Sequence, residues 1–191
     1  MGDGAAPVRE AGGGGVSADP SVDAARLADE LAGMVGSEVW STELGIGSHL
    51  TIDMGDRIQQ RKTFRGKEYF HIVGEWRLWV QLAAWRLEDT ANVLLGSEDS
   101  RPAIAEGISV LQGRRVTAVE VRSPGFDTLF HFGDIRLLLF SVYSALSAPP
   151  GESAPTQWSL WRPQGDIVSV ELGPSGGWTT EPSTAHSAPV L

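Results

Sequence analysis

Gly47-Ser48-His49-Leu50-Thr51-Ile52-Asp53-Met54-Gly55-Asp56 returns further along the chain as Gly125-Phe126-Asp127-Thr128-Leu129-Phe130-His131-Phe132-Gly133-Asp134. Leu50, Ile52 and Met54 alternate with His49, Thr51 and Asp53. Thr128, Phe130 and Phe132 alternate with Asp127, Leu129 and His131. A period of two is the mark of a strand with one buried face. The Gly-Asp that closes each run is turn chemistry. Two further echoes flank this pair. Met34-Val35-Gly36-Ser37-Glu38-Val39 is matched by Leu111-Gln112-Gly113-Arg114-Arg115-Val116, and Glu75-Trp76-Arg77-Leu78-Trp79 by Gln157-Trp158-Ser159-Leu160-Trp161. Three ordered matches at nearly constant spacing read as an internal duplication.

Each copy opens on a helix. Asp19-Pro20 supplies an N-cap and a proline at the first helical position. Ala24, Leu27, Ala28, Leu31 and Met34 or Val35 form the apolar stripe behind it, and Gly33 or Gly36 ends the helix. Ser100 caps the second helix ahead of Arg101-Pro102. Ile104, Ile108 and Leu111 are its stripe, and Gly113 stops it. Strands follow at 39–41, 49–54, 76–84, 116–122, 127–132 and 136–142. A final hairpin spans 158–162 and 166–172, turning at Pro163-Gln164-Gly165.

The expected fold class is α+β: an internally duplicated unit of one helix and antiparallel strands, related by a pseudo-twofold axis. At 191 residues, two separate units would each bury a thin core. The copies, 19–96 and 97–173, are therefore expected to share one core in a single domain, as a continuous sheet or an open barrel. Ile52, Trp76, Phe130 and Trp158 should line it. The Gly/Ala-rich residues 1–18 and the Ser/Thr/Pro/Gly-rich residues 174–191 are expected to be disordered tails, with Trp178 docking back.

Composition narrows the function. There is no cysteine, which excludes thiolate metal sites and a cysteine nucleophile. No apolar leader opens the chain and no stretch is long enough to cross a bilayer, so a cytoplasmic protein without a membrane partner is expected. The formal charge of −9 repels nucleic-acid phosphates and suits a basic partner. No Gly-x-Ser-x-Gly, P-loop or His-Glu-x-x-His is present.

The duplication also sets His49 against Asp127 and Asp53 against His131. Two imidazoles and two carboxylates brought together would suit a divalent ion such as zinc or manganese, or acid–base work. These four residues are the candidate metal site of a hydrolase or small-ligand reading. The competing account makes them the solvated side of two half-buried strands and needs no cofactor. A second candidate is the basic loop 57–67, with Arg57, Arg61, Phe64 and Arg65. A third is the pair Trp79 and Trp161, which strand alternation turns away from Trp76 and Trp158. Their face is either covered by the helices or is a binding surface.

Gly47-Ser48-His49-Leu50-Thr51-Ile52-Asp53-Met54-Gly55, Gly74-Glu75-Trp76-Arg77-Leu78-Trp79 and Trp85-Arg86-Leu87 give residues 31–173 a pattern that resembles small uncharacterised bacterial α+β proteins, some of them immunity proteins that accompany polymorphic toxins. That resemblance implies a non-enzymatic binding domain holding a basic toxin or another protein, with a homodimer as the further option.

Overall fold

The computed structural model describes residues 19–46, 49–142, 155–163, 165–171 and 177–183, with side chains except those of 62–64. Helix α1 (Pro20–Leu31) and helix α2 (Arg101–Gly107) begin at the expected caps. The Asp19 carboxylate accepts from the Ser21 N–H at 2.9 Å, and the Ser100 hydroxyl accepts from the Ala103 N–H at 3.4 Å. These side chains satisfy donors that a helix start leaves orphaned. Each helix tightens into a 3-10 turn, Ala32–Met34 after α1 and Ile108–Leu111 after α2. Ala24, Leu27, Leu31 and Met34 are buried, while Val35 is exposed.

The strands are β1 (Val39–Leu44), β2 (Leu50–Phe64), β3 (Lys67–Val80), β4 (Ala84–Glu88), β5 (Val93–Gly96), β6 (Ala118–Arg122), β7 (Asp127–Phe132), β8 (Ile135–Phe140), β9 (Thr156–Trp161), β10 (Asp166–Glu171) and β11 (Gly177–Pro182). They form two antiparallel sheets, in the orders β1-β2-β3-β9-β10-β11 and β5-β4-β8-β7-β6. The expected continuous sheet or open barrel is thus corrected to two facing sheets, not closed into a barrel. The reason is where the chain goes after each three-stranded meander. β4 and β5 follow β3 in sequence but pair onto β8, through Trp85 opposite Leu139 and Leu87 opposite Leu137. β9 and β10 follow β8 but pair onto β3, through Trp158 opposite Val80 and Leu160 opposite Leu78. The first half sends β4 and β5 into the other half's sheet, and the second half sends β9, β10 and β11 into the first's.

This exchange revises one alignment. Met54 faces Trp76 and Phe132 faces Ile135 across the two hairpins, so β8 occupies the place in its sheet that β3 occupies in the other. By the same registers Trp158-Ser159-Leu160 corresponds to Trp85-Arg86-Leu87, not to Trp76-Arg77-Leu78. All three strands carry a Trp-x-Leu pair on the buried face, and a period of two cannot tell them apart.

One core fills the space between the sheets. Ile52, Trp76, Phe130 and Trp158 belong to the same buried cluster as the helix residues Leu27, Leu31, Ile104 and Ile108. Phe130 and Trp158, from opposite sheets, meet edge to face with ring centroids 6.3 Å apart, the arrangement that aromatic quadrupoles favour.

Part of the expected C-terminal tail is structured. β11 pairs with β10 over six positions. The Trp178 indole N–H donates to the Asp23 carbonyl at 3.2 Å, which anchors the strand to α1. Residues 1–18, 172–176 and 184–191 lie outside the described part. No helix among the described residues is long and apolar enough to cross a membrane.

Candidate binding face and its polar floor

Sheet registers place the outward side chains in rows. Glu43, Thr51, Trp79, Ser159, Ser169 and Thr179 form one row across all six strands of the larger sheet. Ser41, Asp53, Arg77, Trp161, Ile167 and Glu181 form the next. Directly opposed residues share a face, so both rows turn away from the core. Trp79 and Trp161 are diagonal neighbours at the centre, with ring centroids 5.9 Å apart and planes inclined by 36°. His49 meets Trp79 edge-on at 5.9 Å. The result is a line of three partly exposed rings.

The helices do not cover this face. α1 packs on β6, and α2 on β5 and the 3-10 turn that follows it. Their buried residues belong to the opposite, inner side with Trp76 and Trp158. Of the two alternatives open for Trp79 and Trp161, coverage by the helices is therefore ruled out for the described residues.

Beneath the rings lies a hydrogen-bonded floor. Ser159 is buried, its hydroxyl 3.0 Å from that of Ser169, and it accepts from the Gln81 side-chain amide at 3.3 Å. Asp53 is 3% exposed. Its carboxylate accepts from the Gly74 N–H at 2.7 Å and sits 3.8 Å from Arg77 Nε. Arg77 in turn contacts His71 Nε2 at 3.1 Å. Burial raises the Asp53 pKa above the usual carboxylate value, and the Arg77 charge and the Gly74 N–H offset this only in part. Acidic groups rim the face at Glu43, Glu171 and Glu181, on β1, β10 and β11.

The expected metal constellation is divided. His49 and Asp53 lie on or beside β2, in the larger sheet. Asp127 and His131 point outward from β7, in the smaller one. Stacked sheets pack about 10 Å apart, and both pairs face away from the space between them. The ligands of one ion must each reach within about 2 Å of it. No group of three or more His, Cys, Asp or Glu among the described residues could hold a metal ion. His131 instead lies 2.9 Å from Glu120. The Glu120 pKa is lowered, by the Arg122 hydrogen bond first and the His131 contact after it.

The basic loop is also revised. Residues 57–64 continue β2, and 67–74 belong to β3, so Arg57, Arg61 and Phe64 lie on a long hairpin and Arg65 occupies its turn. Arg57 stacks 4.8 Å over the Trp40 ring at the hairpin's base. Arg61 lies 3.5 Å from Glu68 across the ribbon, both side chains exposed. The Asp53–Gly74–Arg77 cluster escaped the sequence reading. Its one signal is an acid and a base on outward positions of adjacent predicted strands.

No protein-family model, curated protein or solved structure matches the chain.

Proposed function

We propose that this chain is a cytoplasmic, non-enzymatic protein-binding domain, immunity-like in its way of working, and that it holds a basic partner on the outer face of its larger sheet. The observation that carries this reading is the Trp79–Trp161 pair, partly exposed on a helix-free sheet face. Aromatic side chains supply large apolar contact area and accept cations over their rings. The carboxylates of Glu43, Glu171 and Glu181 at the rim match an arginine- or lysine-rich surface. A charge of −9 adds long-range attraction, which speeds encounter more than it tightens the complex. We take the two halves to be copies of one ancestral unit about a pseudo-twofold axis. The reciprocal strand exchange supports this.

The test is titration of the purified chain with octa-arginine at about 20 mM salt, followed by calorimetry. The Trp79→Ala/Trp161→Ala variant should bind about tenfold more weakly, a loss of about 1.4 kcal/mol. Glu106→Lys, an exposed charge change on α2, should leave affinity within twofold. Equal affinity of the double variant and wild type would refute the assignment of the face.

A further inference from the structure

β2 beyond Met54 and β3 before Arg77 have no described strand neighbour but each other. β1 pairs with β2 only as far as Met54, and β9 pairs with β3 only from Arg77 onward. Residues 57–64 and 67–74 therefore form a two-stranded arm. Eight residues per strand reach about 27 Å at about 3.4 Å each. That is more than three Debye lengths at physiological salt, where one is about 8 Å, so the arm's tip is screened from the charge of the body. Arm and body differ in sign. The arm carries five cations (Arg57, Arg61, Lys62, Arg65, Lys67) against one carboxylate, Glu68, net +4, and the rest of the chain carries −13.

One side of the arm interleaves exposed apolar groups with Arg57, Gln59, Arg61 and Glu68. Arg61 faces Phe70 and Gln59 faces Ile72 across the ribbon. Phe70 is 64% and Ile72 54% exposed. An isolated two-stranded ribbon is marginal in water, and these side chains gain by being covered. A basic strip carrying an exposed aromatic ring is the ligand type proposed for the outer face. The chain thus carries both halves of a complementary pair. Its own arm does not lie on its own face, because past the bulge between Met54 and Arg57 it carries β2 and β3, which form that face, onward beyond the paired part of the sheet.

We propose that the arm of one copy lies across the Trp79–Trp161 face of a second copy, reciprocally, giving a weak twofold dimer that occludes its own partner-binding face. The proposal rests on the reading of that face given above. The area sets the strength. One arm side is about 27 Å by 10 Å, so two reciprocal contacts bury about 1,000 Å² in all, the lower bound for a specific interface. The isologous arrangement closes at two copies and does not propagate.

Sedimentation of the full chain from 1 to 200 μM, at 50 and 500 mM salt, tests it. Wild type should pass from the monomer mass of 20.4 kDa to twice that value at tens of micromolar in low salt, and stay monomeric in high salt. Arg61→Glu/Lys67→Glu should be monomeric throughout and bind octa-arginine at least as tightly as wild type, its competing occupant having been removed. Phe70→Ser alone should weaken the dimer about tenfold. A wild type that remains monomeric at 200 μM yet binds octa-arginine through Trp79 and Trp161 would overturn the dimer and leave the reading of the face standing. A dimer indifferent to the arm variants would overturn the assignment to the arm. Monomers whose arm instead binds vesicles of equal parts phosphatidylserine and phosphatidylcholine would overturn the dimer in favour of a membrane surface.

Discussion

Glu38 and Arg115 stand opposite each other in an isolated antiparallel bridge, and their side chains meet at 2.5 Å. Their offset along the chain is 77, the same as that of the echo from Met34–Val39 to Leu111–Val116. The hydrogen bonds around them are reciprocal. The Gly36 N–H donates to the Val116 carbonyl and the Gly113 N–H to the Val39 carbonyl, at 2.8 and 2.7 Å. The Val39 N–H donates to Arg114 and the Val116 N–H to Ser37, at 2.8 and 3.0 Å. Each bond becomes its partner when that same offset is added to one end and subtracted from the other. The two halves meet here through a reciprocal set of backbone hydrogen bonds.

Gly36 and Gly113 should therefore respond alike to substitution. Both hold positive φ, 95° and 80°, with open space where a Cβ would stand. Alanine would add backbone strain but no clash, costing about 1–2 kcal/mol at either site. Urea unfolding of Gly36→Ala and Gly113→Ala checks this, with the two losses expected to agree within about 0.5 kcal/mol.

Gly74→Ala should behave differently. A Cβ there would lie 2.6 Å from Met54 N and Trp76 O, both backbone atoms. Neither can yield without opening the bulge at which the arm leaves the sheet. The expected loss is about 3 kcal/mol, the upper end for overpacking, with increased amide exchange along 57–74 in the folded protein.

Trp85 and Trp158 occupy matching positions on the exchanged strands, and both are buried. Each truncation to alanine should cost about 3–5 kcal/mol. Because one core spans both sheets, thermal unfolding of either variant should remain a single transition, with fluorescence and circular dichroism coincident.

Asp53 gives a pH signature. Its pKa is raised in the folded state, chiefly by burial. Between its unfolded and folded values the native protein binds more protons than the unfolded chain, so this group's contribution to stability falls as pH rises through that window. Asp53→Asn keeps an acceptor for the Gly74 N–H and removes the titration. Stability curves of wild type and variant, compared from pH 7 to pH 4, should shift in favour of wild type as the pH falls.

Much of this was legible in the residues. Asp19, Ser100 and the prolines beside them announce both helices because capping is local chemistry. The alternation at 50–54 and 127–132 names the buried faces because side-chain period follows from backbone geometry. Partner strands were not legible. Leu82 and Ala84 extend the apolar alternation of β3, yet the chain turns after Val80 and crosses to the other sheet, where Leu82 is exposed. Three Gln157-directed N–H bonds, from Gln81, Leu82 and Ala83, hold that crossing. Their acceptor lies in the other half of the chain. The basic stretch 57–67 resembled a loop because charge masks strand propensity on a ribbon exposed on both sides. The candidate face itself was half visible: Trp79 and Trp161 were identifiable, and Asp53 meets Arg77 within the β2–β3 hairpin, while Ser159 and Trp161 join them only through the long-range pairing of β3 with β9.

The reciprocal strand exchange underlies every other claim, since it closes the core and builds the six-stranded face. Cross-strand backbone NOEs in the assigned protein test it directly. Contacts between Leu78 and Leu160 and between Leu87 and Leu137 are expected. A ladder joining β3 to β4 as an ordinary hairpin, with neither of those contacts, would contradict it.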